Sequence, residues 1–263
     1  MKQGTTTLRG FQPVGRACGL LAGLIVAWAI AGEGLARAEG QGGKAQPGRE
    51  QDTGDLFNLW YFDQQKIGEA PAGFSARTIG DGAGGTWRIE SDPKAPSAPN
   101  VVVQAAPCPS AGCFQMLLAE GLMYGYPDLA IRLRVTSPGS QGVGGTVFGV
   151  KDSRNVYAAV VDLATDTLEV ISVLDGKETV LSRAQVKRWA AEWHLLRVQR
   201  NTILSKEFIE SVFDSQLAVS VQDKALGAGQ IGLVTRGEAA ISFDNFHAIP
   251  LYSQRPLSPP AAY

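Results

Sequence analysis

Along most of the chain, short apolar runs are cut by breaks rich in Gly, Pro, Asp and Ser. Residues 129–135 show the pattern most cleanly. Leu129, Ile131, Leu133 and Val135 share one parity, and Arg132 and Arg134 share the other. A period of two is the signature of a half-buried strand with one face in water. Similar runs occupy residues 56–62, 86–90, 100–104, 114–118, 146–150, 156–161, 167–173, 192–198, 209–213, 217–221, 230–234 and 243–247. Asp175-Gly176 between two of them predicts a tight hairpin, because both residues tolerate positive φ. Residues 183–191 are the one stretch that reads as a short helix. About a dozen short strands with hardly any helix predict an all-β fold, a two-sheet antiparallel β-sandwich of jelly-roll type.

The ends of the chain follow other rules. Residues 1–38 carry Lys2, Arg9 and Arg16, then an apolar core at 19–31, then Ala36-Arg37-Ala38. That is the layout of a secretory signal peptide with an A-x-A cleavage site. The core falls short of the roughly 18 apolar residues that a membrane span needs, so the alternative is an uncleaved N-terminal anchor. Cys18 precedes this core and is not placed for lipidation. Residues 39–54 are polar and Gly-rich and read as a flexible linker. Residues 55–252 form the jelly-roll domain, and 253–263, with Pro256, Pro259 and Pro260, a disordered tail. The expected location is extracytoplasmic, periplasmic or secreted, with no stable membrane span after cleavage.

Composition narrows the function classes. Without residues 1–38 the chain has 20 basic and 24 acidic residues, a net charge of −4. That balance argues against a nucleic-acid binder, which needs cations to neutralise phosphates. Cys108 and Cys113 then remain as a close pair, expected to form a disulfide in an oxidising compartment. Gly80, Gly82 and Gly85, and likewise Gly227, Gly229 and Gly232, match the dinucleotide-binding spacing. Both runs lead into strands, whereas the motif works at a helix N-terminus, so neither is expected to bind a nucleotide.

Candidate chemistry is sparse. No strand carries the alternating carboxylates that sugar-cleaving jelly rolls use, and no Gly-x-Ser-x-Gly elbow or helical zinc-type His pair occurs. His194 shares a strand face with Leu196 and Val198, as a hydrogen-bonded core residue or as a base or sugar ligand. Asp244 and Asn245, between Phe243 and Phe246, read as a turn partner or as part of a structural calcium site. Arg132, Arg134, Tyr157, Asp162 and Glu169 lie on central strands and could line a concave face. There they would bind sugar hydroxyls and stack on sugar rings, or merely form the polar side of a sheet. Trp60, Tyr61, Trp87 and Trp189 are core or platform aromatics.

With the strands in place, the chain resembles the concanavalin A-like jelly rolls, and most the 3-keto-disaccharide hydrolase-like family of secreted bacterial domains. The resemblance rests on order: Phe62-Asp63, Pro71-Ala72-Gly73-Phe74, Trp87, Pro99-Asn100-Val101-Val102, Asn155-Val156-Tyr157 and Trp193-His194-Leu195-Leu196-Arg197-Val198. Phe213-Asp214-Ser215-Gln216-Leu217, Asp223, Gly229-Gln230-Ile231-Gly232-Leu233 and Phe243-Asp244-Asn245-Phe246 complete it. Ser215 stands where family members usually place Gly, and residues 201–207 look longer than usual. The resemblance implies a module that binds carbohydrate or cell-envelope glycan without catalysis. Its alternatives are a 3-keto-disaccharide hydrolase, which would depend on His194 or Asp162, and a protein-interaction domain.

Overall fold

The structure, a computed structural model, describes residues 57–80, 84–106, 113–136, 142–237 and 240–251. The expected signal segment, linker and tail lie outside the described residues, as does Cys108, and with it the expected disulfide. The strands are β1 (Asn58–Trp60), β2 (Phe74–Ile79), β3 (Trp87–Ser91), β4 (Asn100–Gln104), β5 (Phe114–Ala119), β6 (Pro127–Val135), β7 (Val143–Asp152) and β8 (Asn155–Asp162). There follow β9 (Thr167–Leu174), β10 (Lys177–Gln185), β11 (His194–Ile203), β12 (Lys206–Phe213), β13 (Gln216–Gln222), β14 (Gln230–Arg236) and β15 (Ile241–Pro250).

They form two antiparallel sheets. One runs β13-β12-β11-β6-β15-β4-β3, with β1 also paired to β15; the other runs β10-β9-β8-β7-β14-β5-β2. This is the two-sheet jelly-roll sandwich that the sequence predicts. The inner faces meet in one core, which includes Leu129, Ile131 and Leu133 of β6, Leu196 and Val198 of β11, and Phe243 and Phe246 of β15. Trp60 stacks on Phe246 at 5.0 Å. Strand β1 is therefore held by an aromatic contact as well as by its ladder.

The seven-stranded sheet is buried on both faces. Leu117, Phe148, Ala159, Val170 and Leu233 enter the core between the sheets, while Met116, Val147, Ala158, Ile171 and Val234 form a second buried cluster on the opposite face. Burial on both faces is why these strands read as continuous apolar runs rather than alternating ones.

Three expectations need correction. Residues 183–191 form no helix. Arg183, Ala184 and Gln185 pair with Glu169, Leu168 and Thr167 as the end of β10, because the open edge of β9 offers backbone partners that a helix would forgo. Tyr157 does not line an open face: it is buried in the core, stacked on Phe148 at 5.4 Å. The run 156–161 is apolar at every position, so its parity could not be read from sequence. Asp162 does not face a cleft either. Its carboxylate accepts hydrogen bonds from the Ala164 amide at 2.8 Å and the Thr165 hydroxyl at 2.8 Å. Those two bonds shape the turn after β8.

Asp175-Gly176 forms the expected hairpin turn, with φ of 52° and 81°. Both glycine-spaced runs lead into strands, as the sequence indicated.

Candidate functional site

The six sequence-predicted site residues do not come together. Tyr157 and His194 lie in the core, Asp162 shapes a turn, and Glu169 pairs with Arg183 at 2.5 Å on an edge of the seven-stranded sheet. Only Arg132 and Arg134 share a surface, the outer face of the eight-stranded sheet.

His194 takes the core role. Its Nδ1 lies 2.7 Å from Asp214 Oδ2, and its ring stacks on Phe213 at 5.5 Å. The same carboxylate accepts hydrogen bonds from the backbone amides of Leu195 at 2.9 Å and Trp189 at 3.0 Å. Asp214 thus fastens the segment between β10 and β11 and fixes the imidazole, with both of its oxygens engaged.

The outer face is built by the parity of β6. With Leu129, Ile131 and Leu133 inward, Asp128, Ala130, Arg132 and Arg134 must point outward. The ladders place Arg132 beside Asp244 and Leu195, Ala130 beside His247 and Arg197, and Asp128 beside Ile249 and Gln199. Ala130 is therefore the low point of the face, a shallow trough between longer side chains on all four sides.

Most charges around the trough are already paired. Asp128 accepts Arg197 through Nε at 2.8 Å and Nη2 at 2.6 Å, and Gln199 at 2.7 Å. That fork holds the Arg197 guanidinium above its ordinary pKa. Arg134 donates to Asp92 at 2.5 Å and lies over Trp193, 4.8 Å from the ring centroid. It clamps the loop after β3 onto Val101, Val103 and Trp193.

Arg132 has neither a hydrogen bond nor an ion pair among the described residues and is half-buried. Beside it, Asn245 Oδ1 and His247 Nε2 also lack partners. Burial keeps the His247 imidazole below its usual pKa, so it is neutral at neutral pH. Tyr61 packs edge-on against it at 5.8 Å and is itself half-exposed. The trough thus offers a guanidinium without a partner among the described residues and a half-exposed aromatic ring, with the buried Asn245 Oδ1 and His247 Nε2 beneath them. Such a set can bind neutral hydroxyls through the guanidinium donors while one ring offers an apolar wall.

The sequence reads Asn245 as a turn or calcium partner and Tyr61 as a core or platform aromatic, and it does not bring either of them or His247 to this face, although one signal was present. Phe243 and Phe246 both face the core but stand three residues apart, which a regular strand forbids. A bulge resolves this. Asn245 takes φ 51°, and β15 changes partner from β4 to β1 across it.

Asp244 sits at that bulge, fully buried. Its Oδ2 accepts the Ser97 amide at 2.6 Å and its Oδ1 the Asn245 amide at 2.7 Å, while the Ser97 hydroxyl donates to Asp63 at 2.6 Å. With both oxygens engaged by donors, Asp244 acts as a pin for the 92–99 loop. Among the described residues no group of three His, Cys, Asp or Glu side chains is placed to hold a metal ion.

Burial pushes the Asp244 carboxyl up to about 6, against the pull of its two amide donors, and the charges of Asp63 and Asp92 add to the rise. In the unfolded chain the group ionises near its ordinary 3.8. Its ionised form therefore opposes folding above pH 6, and that cost fades as pH falls through 6 toward 4. Asp244→Asn should remove this dependence. Urea melts at pH 4 to 7.5 should show the stability of the natural protein, relative to the variant, declining as pH rises; a constant difference would refute it.

No family model matches the chain, and no curated protein matches it in sequence. Among solved structures, the chain is similar to the carbohydrate binding module CBM66 from Bacillus subtilis, with 17% identity and a TM-score of 0.51, covering 67% of this chain and 95% of that one. It is also similar to a protein of unknown function with a galectin-like fold from Bacillus subtilis (8%, TM-score 0.45, 62% and 88% covered). A legume lectin-like domain from Entamoeba histolytica gives 12% identity and a TM-score of 0.43, with 63% and 90% covered. At these identities the likeness is one of fold.

Proposed function

We propose that the chain is an exported jelly-roll module that binds glycan through the trough over Ala130. The observation that carries the reading is Arg132: a half-buried guanidinium without a partner among the described residues, on a face where the neighbouring charges are paired. Leaving such a donor set empty is costly unless water or a ligand takes it up. A sugar supplies hydroxyls for Arg132 and an apolar ring face for Tyr61. The fold likeness to a carbohydrate binding module is consistent with this reading. The Cys108–Cys113 bridge belongs to the same proposal, because an exported chain folds where thiols oxidise.

The test is calorimetry of the processed protein with plant, bacterial and storage polysaccharides. Arg132→Ala should weaken binding by about tenfold or more, the value of hydrogen bonds to a charged group. Arg77→Ala, at an exposed site on the other sheet, should leave it unchanged. Binding that survives Arg132→Ala would move the site elsewhere, and no binding to any glycan would end the proposal.

A further inference from the structure

A second surface stands apart from the trough, at one pole of the sandwich. The hairpin joining β11 to β12 has Ile203 opposite Lys206, so Leu204-Ser205 is a two-residue turn, with φ of 49° and 65°. Two positive φ values make it the mirror-image turn that selects Asn, Asp or Gly. The same geometry elsewhere in this chain is met by Asp175-Gly176 and Asp214-Ser215. Only here is the first position a leucine, which strains the backbone. That leucine is 93% exposed, with Ile203 beside it at 49%. An apolar residue placed against both conformational preference and solvation points to a partner.

The neighbourhood reinforces the tip. Arg200 Nη1 donates to the Gly125 carbonyl at 3.3 Å, bringing in the loop that displays Met123. Asn58 bonds the Tyr124 hydroxyl, which sets exposed Phe57 at the same pole. The Asp223 amide donates to the Glu207 carbonyl at 3.2 Å, placing Lys224 next to Lys206. Both lysines are exposed and make no ion pair among the described residues.

We propose that this pole docks the domain on a lipid bilayer, with Ile203 and Leu204 entered between the headgroups and Lys206 and Lys224 on lipid phosphates. A convex aliphatic tip offers no groove to a protein side chain, and the Ile203 and Leu204 side chains have no hydrogen-bonding group for a glycan. Insertion among acyl chains requires neither, and flanking lysines are the usual electrostatic complement of an anionic headgroup layer.

Vesicle sedimentation of the exported protein tests this, with phosphatidylcholine vesicles and with vesicles one quarter phosphatidylglycerol. The natural protein should partition onto the mixed vesicles. Leu204→Asn should lower partitioning by about tenfold or more, the worth of one buried leucine. Its melting temperature should hold or rise, since Asn accepts the positive φ. Lys206→Gln with Lys224→Gln should weaken binding by about fivefold per charge, on the mixed vesicles alone. Equal partitioning of the natural protein and Leu204→Asn, or no partitioning of the natural protein, would overturn the proposal.

Discussion

Arg200→Ala is expected to cost the folded protein about 3–5 kcal/mol, the penalty for breaking a buried ion pair by removing one partner. Arg200 follows His194, Leu196 and Val198 on the inward face of β11, so a permanent charge enters the sandwich near the pole that bears the Leu204 turn. Its surroundings answer most of it, with Nε buried and without a hydrogen-bond partner among the described residues. The guanidinium pairs with Glu207, donates to the Gly125 carbonyl at 3.3 Å, and lies over the rings of Tyr126 and Tyr157 at 5.5 and 5.9 Å. Tyr157 in turn donates to Asp223 and accepts the Leu226 amide at 3.0 Å. Alanine would leave Glu207 without its cation, two rings without their contact, and a cavity where the side chain lay.

Equilibrium denaturation should show the loss, and a second measurement separates its causes. Arg200→Met with Glu207→Leu replaces the pair by apolar groups of similar length and should recover most of the stability. If the double variant is as unstable as the single one, the ion pair is not what Arg200 contributes, and the ring contacts and the Gly125 carbonyl carry the energy instead.

Arg200 also shows where sequence reading ends. Alternation along β11 marks the position as inward, yet an arginine there looks like a break in the pattern, because its partners come from β12 and from the loop before β6. Local rules served where the cause was local. The parity of β6 put Arg132 and Arg134 on one outer face, and the Asp175-Gly176 pair fixed a turn. They failed where the cause was tertiary. Residues 183–191 have helical character, but 183–185 finish a sheet edge and 186–191 are irregular, and the run 156–161 gave no sign of which parity faces inward. The trough required knowing that β15 lies beside β6, which brings His247 to Ala130 across more than a hundred residues of sequence. Only the bulge left a trace, in the spacing of Phe243 and Phe246.

Gly232→Ala should destabilise the protein by about 3 kcal/mol or more, at the upper end for overpacking a core. Gly232 lies in β14, between β7 and β5, opposite Val147 on one side and Leu118 on the other. A Cβ there would sit 2.1 Å from the Leu117 carbonyl oxygen and 2.9 Å from the Leu118 Cα. Those atoms are backbone in the adjoining strand, so no side chain can rotate away; β5 would have to withdraw, opening the ladder from Gly232 to Arg236. Gly73 provides the control. It has a φ of 81°, and a Cβ built on it meets no atom within 4 Å. Gly73→Ala should therefore cost only about 1 kcal/mol, from its left-handed backbone conformation. Guanidinium melts of both variants decide the matter, and similar costs would show that conformation rather than strand contact governs these glycines. The expected difference also accounts for Gly229 and Gly232 in the glycine-spaced run. A Cβ on Gly229 would meet the Gly149 backbone at 2.3 Å, just as one on Gly232 would meet that of Leu117. At these two positions the need is close strand-to-strand approach rather than a cradle for phosphate.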